Sequence, residues 1–200
     1  MTILDKMKQL LFLIVLLPTL VYSQRAKVIV KSEIFNCVYS EVLQQPLEVT
    51  YTVACTNGTA PRTGLDFYIC DSVKTSDNAD YANNEYDKGH CAPAAAFNCT
   101  PAQLKKTFSY LNCVLQQENL NRGAWRLLEA HERELAKTSK VSVKIVCVFS
   151  ATSKKLPTGA TVPDAFYKYI YVNGKPTECY YFLNVRPAST DYTKYKIACK

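Results

Sequence analysis

The chain has 200 residues, with 24 Lys and Arg against 17 Asp and Glu, for a formal net charge of +7. That length suits a single hydrophobic core, and the sequence has no internal repeat, low-complexity tract or sign of a second domain. The modest basic excess is compatible with a polyanionic partner without requiring one.

Lys6 and Lys8 precede an apolar run over 10–21, interrupted by Pro18 and Thr19, and Val21-Tyr22-Ser23 offers a cleavage point before Gln24. This is the layout of a secretory signal peptide over residues 1–23. A membrane anchor wants about 20 apolar residues, and this run is shorter and contains a proline. Nothing later in the sequence is long and apolar enough to span a bilayer. Residues 24–200 are therefore expected to be one soluble domain, secreted to the extracellular side, without stable membrane insertion after cleavage. Losing Lys6, Lys8 and Asp5 removes one net charge, so +7 becomes +6. All nine cysteines lie beyond the leader. In an oxidising compartment they are expected to form disulfides, with one thiol left over or paired to another chain. A zinc site is disfavoured, because no Cys-x-x-Cys occurs and the chain has two histidines. Asn57-Gly58-Thr59 and Asn98-Cys99-Thr100 are glycosylation sequons.

Residues 26–30 and 47–54 read as strands, rich in β-branched side chains. From 56 to 86 the composition turns to Asn, Gly, Thr, Asp and Ser, a long polar loop that carries Arg62. Residues 121–137 give the clearest helix. Ala124, Leu127, Leu128, His131 and Leu135 follow the spacing of a buried stripe, and Asn119 or Asn121 is the expected N-cap. That stripe assigns His131 to the packed side rather than to chemistry. Strands follow at 141–149, in a central position, and at 166–172 and 179–185. Asn173-Gly174 predicts a tight hairpin turn, and Pro176 suggests a sheet edge. A last short strand is expected at 192–198. The elements sum to an α+β fold with an antiparallel β-sheet core flanked by helices.

Phosphodiester hydrolysis requires a base for water, neutralisation of charge at phosphorus and stabilisation of the departing oxygen. A histidine suits the first task. A hard divalent ion with oxygen ligands, helped by Arg or Lys, suits the others. Asn121, Trp125, Glu129 and Arg133 are spaced four apart and would project from one helical strip. The bland reading of that strip is an exposed Glu129–Arg133 pair with Asn121 as a cap. His90 follows Gly89, and a glycine there suggests close backbone approach to a ligand.

The run Tyr86-Asp87-Lys88-Gly89-His90-Cys91-Ala92-Pro93-Ala94, followed by Asn112, Gln116, Leu120-Asn121-Arg122-Gly123-Ala124-Trp125 and Glu129, resembles the DNA/RNA non-specific endonuclease family. These are the ββα-metal, or His-Me finger, nucleases, whose motif reads Asp-Arg-Gly-His-x-Ala-Pro, and the similarity extends over residues 47–187. The resemblance implies a ββα-metal active-site motif and a sugar-non-specific endonuclease that leaves 5′-phosphate ends. It implies His90 as general base, Asn121 as the direct protein ligand of a Mg²⁺ (with Mn²⁺ or another divalent cation as substitute), and Glu129 bound to that ion through water. Arg62, Lys88 and Arg133 would neutralise phosphate, and Asn112 and Gln116 would buttress the site. The implied partners are DNA and RNA, met through their phosphate backbones, with a homodimer left open.

This sequence departs from the family pattern in three ways. Lys88 replaces the motif arginine and loses the planar fork, a loss worth about 1.5–3 kcal/mol of transition-state stabilisation. Cys91 and Cys113 occupy usually apolar positions, either as buried thiols or as a local disulfide. The chain also stops at Lys200, short of many relatives. The alternative function is a nuclease-fold protein that binds nucleic acid and cuts weakly or not at all. A more distant one is a cystine-stapled interaction protein.

Overall fold

The computed structural model describes residues 25–199, so the leader expected over 1–23 lies outside the described residues. In chain order the elements are β1 (Val28–Lys31), β2 (Phe35–Ser40), β3 (Gln45–Thr52), β4 (Tyr86–His90), α1 (Pro101–Thr107), β5 (Cys113–Gln117), α2 (Glu118–Leu120), α3 (Arg126–Leu135), β6 (Val141–Val148), β7 (Ala165–Val172), β8 (Lys175–Leu183) and β9 (Lys196–Ile197). Seven strands form one sheet in the order β1-β2-β3-β6-β7-β8-β9, each neighbouring pair antiparallel. β4 and β5 make a separate two-stranded ladder. The fold is α+β, mostly antiparallel sheet with few helices.

β6 illustrates why the sheet has a covered face. Its side chains alternate between buried Val141, Val143, Ile145 and Cys147 and partly exposed Ser142, Lys144, Val146 and Val148, the period of a strand packed on one side. Ala124, Trp125 and Leu128 lie against that face in one cluster with Val143, Ile145, Phe166, Ile170 and Phe182. The indole of Trp125 meets Phe166 and Phe182 edge-on at 5.5 Å each. Truncating such a side chain costs about 3–5 kcal/mol.

The helical region departs from the expected pattern. α2 and α3 are joined by a wide π turn (Asn121–Trp125), with Gly123 at φ −101°, ψ −111° kinking the path. The start is capped by the Gln117 side chain, whose oxygen accepts from the amides of Asn119 and Leu120, not by Asn119 or Asn121. Leu127 is 37% exposed, while Glu132 is fully buried. The buried carboxylate is paired with equally buried Lys168 of β7 at 2.6 Å and accepts from the Tyr51 hydroxyl at 2.5 Å. Apolar periodicity is blind to this arrangement, because a partner on a distant strand makes burial of the charge tolerable.

Asn173 and Gly174 adopt φ of 51° and 81° and close the β7–β8 hairpin as expected. Pro176 faces a register shift and lies outside the stretch of β8 that pairs with β9, consistent with an edge. Residues 192–195 form a 3₁₀ turn, so the expected last strand shrinks to β9. β2 and α1 were not anticipated, although Thr100 capping Gln103 ahead of Pro101 is a legible helix start.

The cysteine expectation is corrected. Two disulfides form, Cys55–Cys99 and Cys179–Cys199, and five cysteines are free thiols, of which Cys37, Cys91, Cys113 and Cys147 are buried. These four behave as small core residues. Cys91 and Cys113 are thus buried thiols, not a local disulfide.

Candidate active site

β4 pairs with β5 from Tyr86↔Gln117 to His90↔Cys113, and β5 runs directly into α2. This β-β-helix unit sets β4 against the helical region across a cavity of about 420 Å³. The cavity is lined by Arg62, Phe67, Lys88, His90, Pro93, Ala94, Ala95, Asn121, Arg122, Arg126, Glu129 and Arg133. A larger hollow of about 590 Å³ around Phe35, Tyr51 and Val143 gathers no comparable set of cations facing a histidine.

On the strand side, His90 is enclosed by aromatic rings, with Phe67 at 4.7 Å and Phe108 at 4.9 Å between centroids. Its Nε2 is buried and has no hydrogen-bond partner among the described residues. Burial, and then the charge of Arg62, lower its pKa from 6.5 to about 3, so the ring is neutral. Gly89 is needed for packing rather than for a ligand, because a Cβ there would lie 2.5 Å from Gln116 Oε1. Asn112 does not line the cavity. It is fully buried, donates from Nδ2 to the carbonyls of Ala92 and Thr107, and accepts the Ala92 amide at 2.7 Å. It therefore fixes the turn that leaves His90.

The polar loop contributes more than the expected Arg62. Tyr68 is tied to the chain around Ser109 by main-chain bonds to Phe108 and Tyr110, which seats Phe67 over His90. Arg62 lies over the Phe108 ring at 5.4 Å. Lys88 pairs with Asp66 at 2.8 Å, contacts the Asn78 side chain and sits over the rings of Phe67 and Tyr110. The amine in the motif position is thus already engaged by a carboxylate.

On the helical side, Asn121 donates from Nδ2 to Asp87 Oδ2 at 2.8 Å, while Arg122 grips both oxygens of the same carboxylate at 2.9 and 2.6 Å. Asp87 therefore orients the Asn121 amide, with its carbonyl oxygen the end left available as a ligand. Trp125, expected on the same strip, is turned into the core and 1% exposed, because the π turn takes up an extra residue. Glu129 lines the cavity, and its pKa is raised from 4.5 to about 7. Burial is the main cause, with Lys168 and Arg133 pulling the other way and Glu132 adding to the rise. Arg133 donates to the main-chain oxygen of Glu129 at 2.9 Å, and no Glu129–Arg133 side-chain pair occurs among the described residues. His131 lies outside the cavity, bonded to Glu178 at 3.0 Å and stacked on Tyr192.

The cavity thus gathers Arg62, Lys88, His90, Asn121, Glu129 and Arg133. Sequence reasoning missed the roles of Asp66, Phe67 and Asp87. Among these only Asp87 carried a signal, as the first residue of the quoted motif. Among the described residues no cluster of three or more His, Cys, Asp or Glu could enclose a metal ion. A cation held here would rest on the Asn121 oxygen, with Glu129 nearby, and on water for the rest. That hard, sparse donor set fits Mg²⁺.

Residues 19–200 match the family described as DNA/RNA non-specific endonuclease. The chain is 36% identical over 84 residues to Endonuclease G, mitochondrial, of Bos taurus, a match covering 40% of this chain and 28% of that protein. It is 31% identical over 122 residues to Nuclease of Serratia marcescens, covering 56% of this chain and 45% of that protein. The matched segments thus span less than half the length of these relatives. A chain from the crystal structure of an EndoG/EndoGI complex superposes with a TM-score of 0.72 at 23% identity, covering 85% of this chain and 80% of that one. This likeness bears on the fold.

Proposed function

The chain belongs to the DNA/RNA non-specific endonuclease family, and from that premise we propose that it is a secreted, Mg²⁺-dependent endonuclease. It hydrolyses phosphodiesters of DNA and RNA and leaves 5′-phosphate ends. The observation that carries this reading is a neutral His90 across one cavity from Asn121 and Glu129, with Arg62, Lys88 and Arg133 lining the same space.

In this mechanism the His90 imidazole takes a proton from the water that attacks phosphorus, and the bond from phosphorus to the 3′ oxygen breaks. A bound phosphate supplies negative charge beside His90, offsets Arg62 and raises the imidazole pKa from its resting value near 3. Proton acceptance is therefore coupled to substrate binding. Arg62 and Arg133 neutralise the non-bridging oxygens, and Lys88 joins them once phosphate displaces Asp66. Asn121, fixed by Asp87, and Glu129 would hold a hydrated Mg²⁺, which supplies charge stabilisation at the departing oxygen when bound. Contacts confined to phosphate account for tolerance of sequence and of sugar. Export agrees with two disulfides, and no described helix is long and apolar enough to cross a membrane.

A plasmid-nicking assay with Mg²⁺, run with and without chelator, tests the proposal. Cutting only in the presence of free Mg²⁺ is expected, and cutting unaffected by chelator would contradict it. The second reading, a binder that cuts weakly, draws on the engagement of Lys88 by Asp66. It predicts salt-sensitive binding without nicking.

A further inference from the structure

Arg126 is an exposed side chain on the first turn of α3 that lines the same cavity, and nothing above gives it a task. Its Nε donates to the Arg122 carbonyl at 3.0 Å, which pins the stem along the helix and leaves both terminal amino groups to other acceptors. No described ion pair includes Arg126. Neighbouring Arg122 differs, being held by Asp87 at 2.6 Å and Glu118 at 3.3 Å. Arg133 is seven residues further on, about 10 Å along the axis, close to Glu129.

The cavity therefore carries more uncommitted guanidinium than one scissile phosphate can use. Arg62 and Arg133 flank the reacting groups, and Arg126 adds a third planar fork displaced toward the Asn121 end. A planar fork matches a phosphate in two parallel bonds, and every nucleotide of a strand presents another phosphate.

We propose that Arg126 forms a second phosphate subsite, which holds the phosphate next to the scissile one along a bound DNA or RNA strand. This assignment rests on the endonuclease reading above. Its consequence is a preference for chains over the smallest diesters. An oligonucleotide fills the subsite, whereas a dinucleoside monophosphate, with its single diester, does not.

The test compares the wild-type protein with Arg126→Ala on a 20-nucleotide strand and on a dinucleoside monophosphate, both with Mg²⁺. The variant is expected to raise KM on the long strand about tenfold, as loss of one charge-assisted phosphate contact allows. Its kcat on that strand, and both constants on the dinucleotide, should be unchanged. Binding of the long strand in chelator should also lose about 0.7–0.9 from the slope of log K against log salt, the share of one phosphate. Arg126→Lys should restore the salt slope while leaving KM raised, because the charge returns without the fork. An equal loss on both substrates would place Arg126 on the scissile phosphate and overturn the assignment, as would no change on either. The salt slope needs no catalysis. A protein that binds without cutting would sink the endonuclease reading, and the slope would still decide whether Arg126 contacts phosphate.

Discussion

The two walls of the cavity hold titratable groups shifted in opposite directions. The strand wall keeps His90 neutral by enclosing it in aromatic rings, so burial drives its pKa down to about 3. The helix wall is charged, and it stands on a buried Lys168–Glu132 pair with Tyr51. There burial drives Glu129 up to about 7. One physical cause, removal of water, prepares a base on one side and leaves a carboxyl poised near neutrality on the other, because desolvation favours whichever form is uncharged. A bound cation and phosphate would pull both groups back toward their charged forms.

Removing the imidazole breaks the comparison most severely. His90→Ala is expected to lower the nicking rate by about 10²- to 10⁴-fold, the usual contribution of a positioned base, while salt-sensitive DNA binding survives. His131→Ala should leave the rate unchanged, and the reverse result would refute the assignment of the base.

The support beneath the helix wall comes next. Lys168→Met leaves Glu132 buried without its cation and should destabilise the protein by about 3–5 kcal/mol, read from the midpoint of urea unfolding. The double substitution Lys168→Met/Glu132→Leu should recover much of that loss. A single variant as stable as the wild type would show that the pair supports nothing.

Glu129 gives a pH signature in the metal-free protein. A carboxyl whose pKa is raised on folding contributes stability that is full below about pH 4.5 and is lost as pH rises through about 7. In chelator, the melting temperature of Glu129→Gln should therefore gain on the wild type between pH 5 and pH 8. His90 acts in the opposite sense in both proteins, its contribution being present above about pH 6.5 and lost as pH falls toward 3. A constant gap across that range would mean that Glu129 keeps an ordinary pKa.

The smallest effect is expected at the loop. Asp66 is 66% exposed and Lys88 25%, so their pair is worth no more than about 1 kcal/mol. Asp66→Asn should free the amine and lower KM for DNA a few-fold without changing kcat. A rise in KM would instead make Asp66 part of the substrate grip.

Apart from β2, the strands of the large sheet and the hairpin turn were legible because local signals decide them: β-branched alternation in β6, aromatic and β-branched residues in β7, and an Asn-Gly pair that tolerates positive φ. Within the site, His90, Asn121 and Glu129 were picked out by the resemblance of their segment to the family motif, whereas the helical spacing of Asn121, Glu129 and Arg133 alone also fits an ordinary exposed strip. What escaped depends on contacts distant in sequence. Lys168 of β7 meets Glu132 of α3 across the core, so neither residue carries a periodic mark of burial. Phe67 and Asp66 come from a loop whose composition says little beyond polarity, yet they cover His90 and occupy Lys88. The strip argument failed at Trp125 because it assumed a regular helix, and the kinked π turn around Gly123 rotates that side chain into the core.

The most direct measurement is the anomalous difference map of a crystal soaked in Mn²⁺ as a stand-in for Mg²⁺. The account predicts a peak in the cavity within direct ligand distance of Asn121 Oδ1, facing His90 and one water from Glu129. A fully occupied ion elsewhere, with the space between Asn121 and His90 free of metal in a protein that still cuts DNA, would contradict it.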